Sequence, residues 1–126
     1  MAVGLDLVIR GATVMPGDGP GRLADVAVAG GRIEAVAPSL AGVEAAEIVD
    51  GSGLVLCPGF IDMHAHTALR SFDDPLLAAK VGQGFTTELI HPDGLAPAPV
   101  APGQWRERQA YLRGLEGAGP GEWEWS

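Results

Sequence analysis

Residues 58–67 read PGFIDMHAHT, a short apolar run that ends in two histidines, His64 and His66, on either side of one alanine. Pro58 and Gly59 interrupt whatever regular structure precedes the run. After it comes a loop, and then residues 73–84, DDPLLAAKVGQG, which carry helix start and stop signals. Asp73 or Asp74 can accept hydrogen bonds from the exposed amides of a first turn, Pro75 fits the first helical position, and Gly82 or Gly84 suits the end. Residues 84–90, GFTTELI, are rich in β-branched and aromatic side chains and read as a strand. Strand, helix and strand within about 30 residues form a βαβ unit, whose two strands lie parallel.

Upstream the pattern is different. Residues 5–15, LDLVIRGATVM, read as strand, and PGDGPG at 16–21 reads as loop. Residues 24–38, ADVAVAGGRIEAVAP, give two runs of period two around Gly30-Gly31, a pair that tolerates the positive φ of a tight primed turn. A further strand, the turn Asp50-Gly51-Ser52-Gly53 and another strand follow in AEIVDGSGLVLCPG at 46–59. Several short, closely spaced strands suggest a small β-sandwich or partial barrel. The boundary between the two patterns puts a β-rich domain at 1–58 and the start of an α/β domain at 59–126.

Downstream, HPDGLAPAPVAPG at 91–103 is a Pro- and Gly-rich loop, and QWRERQAYLRGLEG at 104–117 reads as a helix. Trp105, Tyr111, Leu112 and Leu115 form its expected apolar stripe. The tail AGPGEWEWS is turn-like, and no internal repeat is present. Two parallel strands alone cannot bury both faces, and parallel sheets occur almost only within larger α/β assemblies. Ser126, a good N-cap residue, stands last with no helix behind it. The expectation is therefore a chain cut from a longer one.

Composition narrows the function classes. The 126 residues are 47% apolar and 19% charged, with no apolar run near the ~20 residues that cross a bilayer, so a soluble chain without a membrane partner is expected. The N-terminus lacks a basic region ahead of a long apolar one, which argues against a secretory signal and for the cytoplasm. A net charge of −8, with eight scattered basic residues, disfavours nucleic acid as a partner. Cys57 is the single cysteine and excludes an internal disulfide. Its place in the apolar run LVLCPGF favours a buried structural thiol.

Chemistry concentrates at the histidines. Side chains at i and i+2 of a strand share a face, so His64 and His66 present their imidazoles side by side, with Asp62 on the same face. Two neutral imidazoles define one edge of a coordination sphere, and a catalytic ion there acidifies water and polarises a carbonyl, the requirements for cleaving an amide. By itself His-x-His is a weak signal. Its position at the C-terminal end of a parallel strand, where α/β-barrel active sites lie, strengthens it.

The lead-in VIRGATVMPGDGPGRLADVAVAGGRIEAVAP, the block VDGSGLVLCPGFIDMHAHT and the helix after it resemble, in order and content, the start of an amidohydrolase-superfamily enzyme. The resemblance covers nearly the whole chain. It implies a β-sandwich built partly from the N-terminus, followed by the first βαβ unit of a (β/α)8 TIM barrel. The stretch KVGQGFTTELIHPDGLAPAPV is similar to that of N-acyl-D-amino-acid deacylases (D-aminoacylases), in which a metal-binding cysteine precedes the loop glycine. Here Asp93 stands before Gly94, and a carboxylate can also ligate zinc. The resemblance thus implies one or two zinc ions, with His64, His66 and Asp93 as ligands, and hydrolysis of a linear N-acyl amide of a small molecule. It puts the remaining ligands and a catalytic aspartate in later barrel strands, so the chain alone is expected to be inactive. A cyclic amide substrate, as for dihydroorotases and hydantoinases, is one alternative; a non-catalytic β-rich binding or assembly module is another.

The neighbouring residues keep two readings each. Asp62 either orients a histidine or is a plain polar strand residue. His91 either reaches the ion or is an exposed loop histidine, the commoner case. Arg70 either receives a substrate carboxylate or, the favoured reading, makes a surface salt bridge. Lys80, the only lysine, is expected to be solvated. Trp105 and Tyr111 are expected to pack in the core rather than line an acyl pocket.

Overall fold

A computed structural model describes residues 4–121; Trp123, Trp125 and Ser126 lie outside them. The chain divides into two compact units, Met1–Pro58 and Gly59–Ser126.

The first unit is one mixed sheet. Strands β1 (Leu5–Val14), β2 (Arg22–Ala29), β3 (Arg32–Ala37) and β4 (Ala45–Asp50) lie in the order β3-β2-β1-β4, and β5 (Val55–Leu56) also pairs with β1. The β2–β3 hairpin turns on Gly30 and Gly31 at φ of 56° and 71°, the doubly left-handed backbone that the Gly-Gly pair predicts. Central β1 runs antiparallel to β2 and parallel to β4 and β5. Gly11, at φ 69°, makes the bulge at which β1 changes parallel partner, from β4 up to Arg10 to β5 from Thr13. The core on one face is Val14, Ala24 and Val26, with Val28 and Leu56 packed against it. Across the sheet, Asp25 is buried and accepts the Gly11 amide at 2.7 Å and the Leu40 amide at 2.6 Å. These two bonds, the Leu40 amide foremost, hold its carboxyl below the usual carboxylate range. In this unit the described residues form one sheet, and the segment between β3 and β4 is a loop tied down by Asp25.

The second unit begins with β6 (Phe60–Ala65) and β7 (Phe85–Ile90), which pair in parallel as the βαβ reading requires. The connection departs from expectation. Instead of one helix within 73–84 there are two single turns, α1 (Arg70–Asp73) and α2 (Ala78–Val81), separated by Leu77 in left-handed backbone at φ 44°. Neither Asp73 nor Asp74 is an N-cap: Leu77 holds that position in α2 without a side-chain bond, Asp74 accepts the amide of Ala78 from farther back at 3.3 Å, and Pro75 falls ahead of α2 rather than at its first position. Beyond β7, a 3-10 turn (Pro92–Gly94) opens the Pro-rich loop and leads to α3 (Trp105–Glu116). Leu69 and Leu112, both fully buried, pack with Leu95 and Trp105 and fasten α3 to the loop after β6. Tyr111 and Leu115, placed on the apolar stripe by sequence, are 68% and 54% exposed. Cys57 is exposed as well, since it falls between the end of β5 and the start of β6, where no strand pairing covers it. The architecture is α/β with a β-rich N-terminal unit, and no helix among the described residues is long and apolar enough to cross a membrane.

Candidate metal centre

His64 and His66 leave the end of β6 on one face, with ring centroids 5.2 Å apart and planes inclined by 67°. The 3-10 turn after β7 carries Asp93 towards them. Its Oδ2 lies 3.2 Å from Nε2 of His64 and 3.7 Å from Nε2 of His66. One donor atom from each of the three residues falls within 4.8 Å of the others, a spacing one ion can span. The turn achieves this through left-handed backbone at both His91 (φ 66°) and Asp93 (φ 59°), a conformation to which His and Asp are better suited than most residues.

The three ligand candidates differ in freedom. The side chains of His64 and Asp93 are 60% and 61% exposed, whereas that of His66 is 21% exposed. His66 is held from behind by Glu116, the last residue of α3, whose Oε1 lies 2.8 Å from Nδ1. Glu116 is fully buried, and its second oxygen accepts the Ala68 amide at 3.2 Å.

Asp62 does not contact either imidazole. Its Oδ1 accepts the backbone amide of His64 at 3.0 Å, and its Oδ2 pairs with Lys80. Lys80, expected in solvent, also reaches Glu88 at 3.2 Å, and Glu88 accepts the hydroxyl of Thr67. Asp62 and Glu88 face each other across the β6–β7 ladder, so two carboxylates on neighbouring strands share one cation. The hydrogen bond to Lys80 is the main cause that lowers the Asp62 pKa, and the same bond raises that of Lys80.

The remaining candidates stand apart from the ion-sized gap. His91 is half-buried rather than exposed, and its Nε2 has no hydrogen-bond partner among the described residues. Arg70 is exposed at the start of α1 and has no ion pair among the described residues; it lines a cleft of about 430 Å³ with His66, Thr67 and Arg113. Trp105 packs in the core as expected, while Tyr111 borders a separate cleft of about 480 Å³ that contains none of the histidines. Sequence reasoning missed Glu116 and Glu88. The one available signal for Glu116 was its sign, since an acid in the last turn of a helix opposes the helix dipole and needs a partner to hold it there.

No family model matches the chain. It is 42% identical over 111 residues to N-acyl-D-glutamate deacylase of Alcaligenes xylosoxydans xylosoxydans, covering 86% of this chain and 22% of that protein. To D-aminoacylase of the same organism it is 42% identical over 100 residues, covering 76% of this chain and 20% of the relative. The solved structure of N-acyl-D-glutamate deacylase from Bordetella bronchiseptica, complexed with zinc and a phosphonate inhibitor, superposes with a TM-score of 0.71 at 39% identity, over 80% of this chain and 22% of that one. The chain is a D-aminoacylase-like member of the amidohydrolase superfamily. It spans about a fifth of the length of the curated relatives that it matches.

Proposed function

We propose that this D-aminoacylase-like chain supplies the first metal ligands of a zinc-dependent hydrolase that cleaves a linear N-acyl amide, specifically an N-acyl-D-amino acid. Residues 1–58 then contribute part of a β-sandwich, and residues 59–126 open a TIM barrel with its first βαβ unit. The observation that carries the reading is the convergence of His64, His66 and Asp93 within 4.8 Å at the C-terminal ends of two parallel strands.

The residues fit the ion. Two imidazole nitrogens and a carboxylate oxygen form a donor set that zinc accepts, and the exposure of His64 and Asp93 leaves one side open for substrate or further ligands. Bound zinc supplies a Lewis acid that acidifies water and polarises an amide carbonyl. The chain's own part is to hold three donors in register: His64 and His66 through the strand period, Asp93 through the 3-10 turn. The Lys80 bridge between Asp62 and Glu88 keeps β6 and β7 aligned beneath them. Asp93 occupies the position at which the family's loop carries cysteine, so an oxygen ligand replaces sulfur and favours a harder ion.

The test is zinc content. The unaltered chain, equilibrated with zinc and desalted, retains the ion by elemental analysis, and a protein with both His64→Ala and His66→Ala does not. Equal retention by the two removes the metal centre, and with it the hydrolase. Within the longer enzyme, release of free amino acid from N-acyl-D-amino acids but not from a hydantoin separates the linear from the cyclic amide.

A further inference from the structure

We propose that Glu116 is the positioning residue that fixes the tautomer of His66, with the proton on Nδ1 and the lone pair of Nε2 aimed at the metal position. The inference rests on the metal reading above and extends it to a residue 50 positions away in sequence.

The chemistry of a carboxylate sets the direction. A carboxylate only accepts hydrogen bonds, and the two oxygens of Glu116 lie within reach of two donors: the Ala68 amide at 3.2 Å and His66 Nδ1 at 2.8 Å. A neutral imidazole carries one proton, so satisfying Glu116 puts that proton on Nδ1 and leaves Nε2 as an acceptor. Nε2 then faces Oδ2 of Asp93 across 3.7 Å. Two acceptors directed at one another do not bond; a cation between them completes both. Carboxylate, histidine and metal in that sequence form a recurring arrangement in which the outer acid orients the ligand and raises its basicity.

Glu116 is built to stay in place. It is fully buried, and buried carboxylates are costly unless paired. Leu112, one helical turn earlier on the same face, is locked against Leu69. Gly117, just beyond, lies so near Arg70 that an added Cβ would meet its Cα and N at 2.9 Å. The end of α3 is therefore pressed onto the segment that leaves His66. No comparable carboxylate stands behind Nδ1 of His64 among the described residues, so the two histidines are unequal: His66 is preset and His64 adjusts.

Nitrogen-15 spectroscopy of the histidine rings in the metal-free chain, at a pH where they are neutral, reads the tautomer directly. The unaltered chain shows a protonated Nδ1 and a bare Nε2 at His66. The isosteric variant Glu116→Gln has one acceptor oxygen for two donors. The Ala68 amide cannot give up its hydrogen, so the Gln NH2 turns to Nδ1 and drives His66 to the Nε2–H form. Zinc affinity by calorimetry then falls roughly 10–100-fold, with the far-UV circular dichroism unchanged. Glu116→Ala leaves His66 as a mixture of tautomers. A proton on Nε2 in the unaltered chain overturns the proposal, and so does Glu116→Gln that keeps Nδ1–H and holds zinc within about twofold of the original affinity. A correct tautomer with no zinc uptake by the unaltered chain overturns the metal reading instead, so the two failures are distinguishable.

Discussion

Replacing Leu112 with alanine should loosen the whole second unit. The side chain is 1% exposed and packs with Leu69, Leu95 and Trp105 in the buried apolar cluster that fastens α3. Truncation to alanine removes three carbons, roughly 2.4 kcal/mol of transfer free energy at ~0.8 kcal/mol per methylene. A cavity term adds to this, and Leu→Ala changes in cores span about 2–5 kcal/mol. Only two members of the cluster are fully buried, so its half-buried walls can partly close over the gap. About 3 kcal/mol is therefore expected, a large share of the ~3–5 kcal/mol that a core of this size supplies. Trp105 packs against this cluster, so its fluorescence in a urea titration reports the unit. With a slope of about 1 kcal/mol per molar urea, the midpoint should drop by roughly 2–3 M. Tyr111→Ala, one residue away but 68% exposed, should stay within about 0.5 kcal/mol of the parent. A midpoint change below about 0.5 M for Leu112→Ala, or equal changes for both variants, would refute the assignment of the cluster as what holds α3.

Two further outcomes follow from local geometry. Because the carboxyl of Asp25 is held below its ordinary value of 3.8 by the Leu40 and Gly11 amides, its contribution is present above that pH and is lost as acid carries the protein through the lower folded value. Thermal melts of the first unit by circular dichroism, from about pH 5 to pH 2, should fall less steeply for Asp25→Asn than for the parent, and equal slopes would contradict the two-amide arrangement. A Cβ built on Gly59 meets Thr86 Cγ2 and Oγ1 at 2.3 Å and its Cβ at 2.8 Å. Gly59→Ala should thus cost about 1–3 kcal/mol in urea unfolding, and adding Thr86→Gly should recover part of it; strictly additive losses would show that the two residues do not meet.

How much was legible in the sequence depended on the range of the interaction. The Gly30-Gly31 hairpin, the strands at 5–15 and 84–90 and the parallel pair rest on local signals, the periodicity of apolar residues and the backbone freedom of glycine. The side-by-side placement of His64 and His66 follows from the strand period alone. Asp93 entered only through a resemblance, since nothing local states that a left-handed turn brings it back to β6. The apolar stripe of α3 was drawn too wide. Seven residues separate Trp105 from Leu112, nearly two full turns, so these share a face, whereas Tyr111 sits about 100° away from Leu112. The helix expected within 73–84 failed because Leu77 adopts a backbone that leucine seldom does, a cost set by tertiary context. The partners of Lys80 and Glu116 were illegible for the same reason: they lie 18 and 50 positions away.

The parallel pair β6–β7 has a consequence for how copies of the chain behave in solution. Phe60, Ile61, Met63 and Leu89 each leave half or more of their surface uncovered, on strands of a kind that proteins normally bury on both sides. Oily ladders of this sort attract one another, while a net charge of −8 pushes the molecules apart. The repulsion acts through water and is screened beyond about 10 Å at 0.1 M salt; the attraction is a contact effect that salt does not weaken. For these 126 residues taken alone, raising the ionic strength therefore favours self-association through β6 and β7.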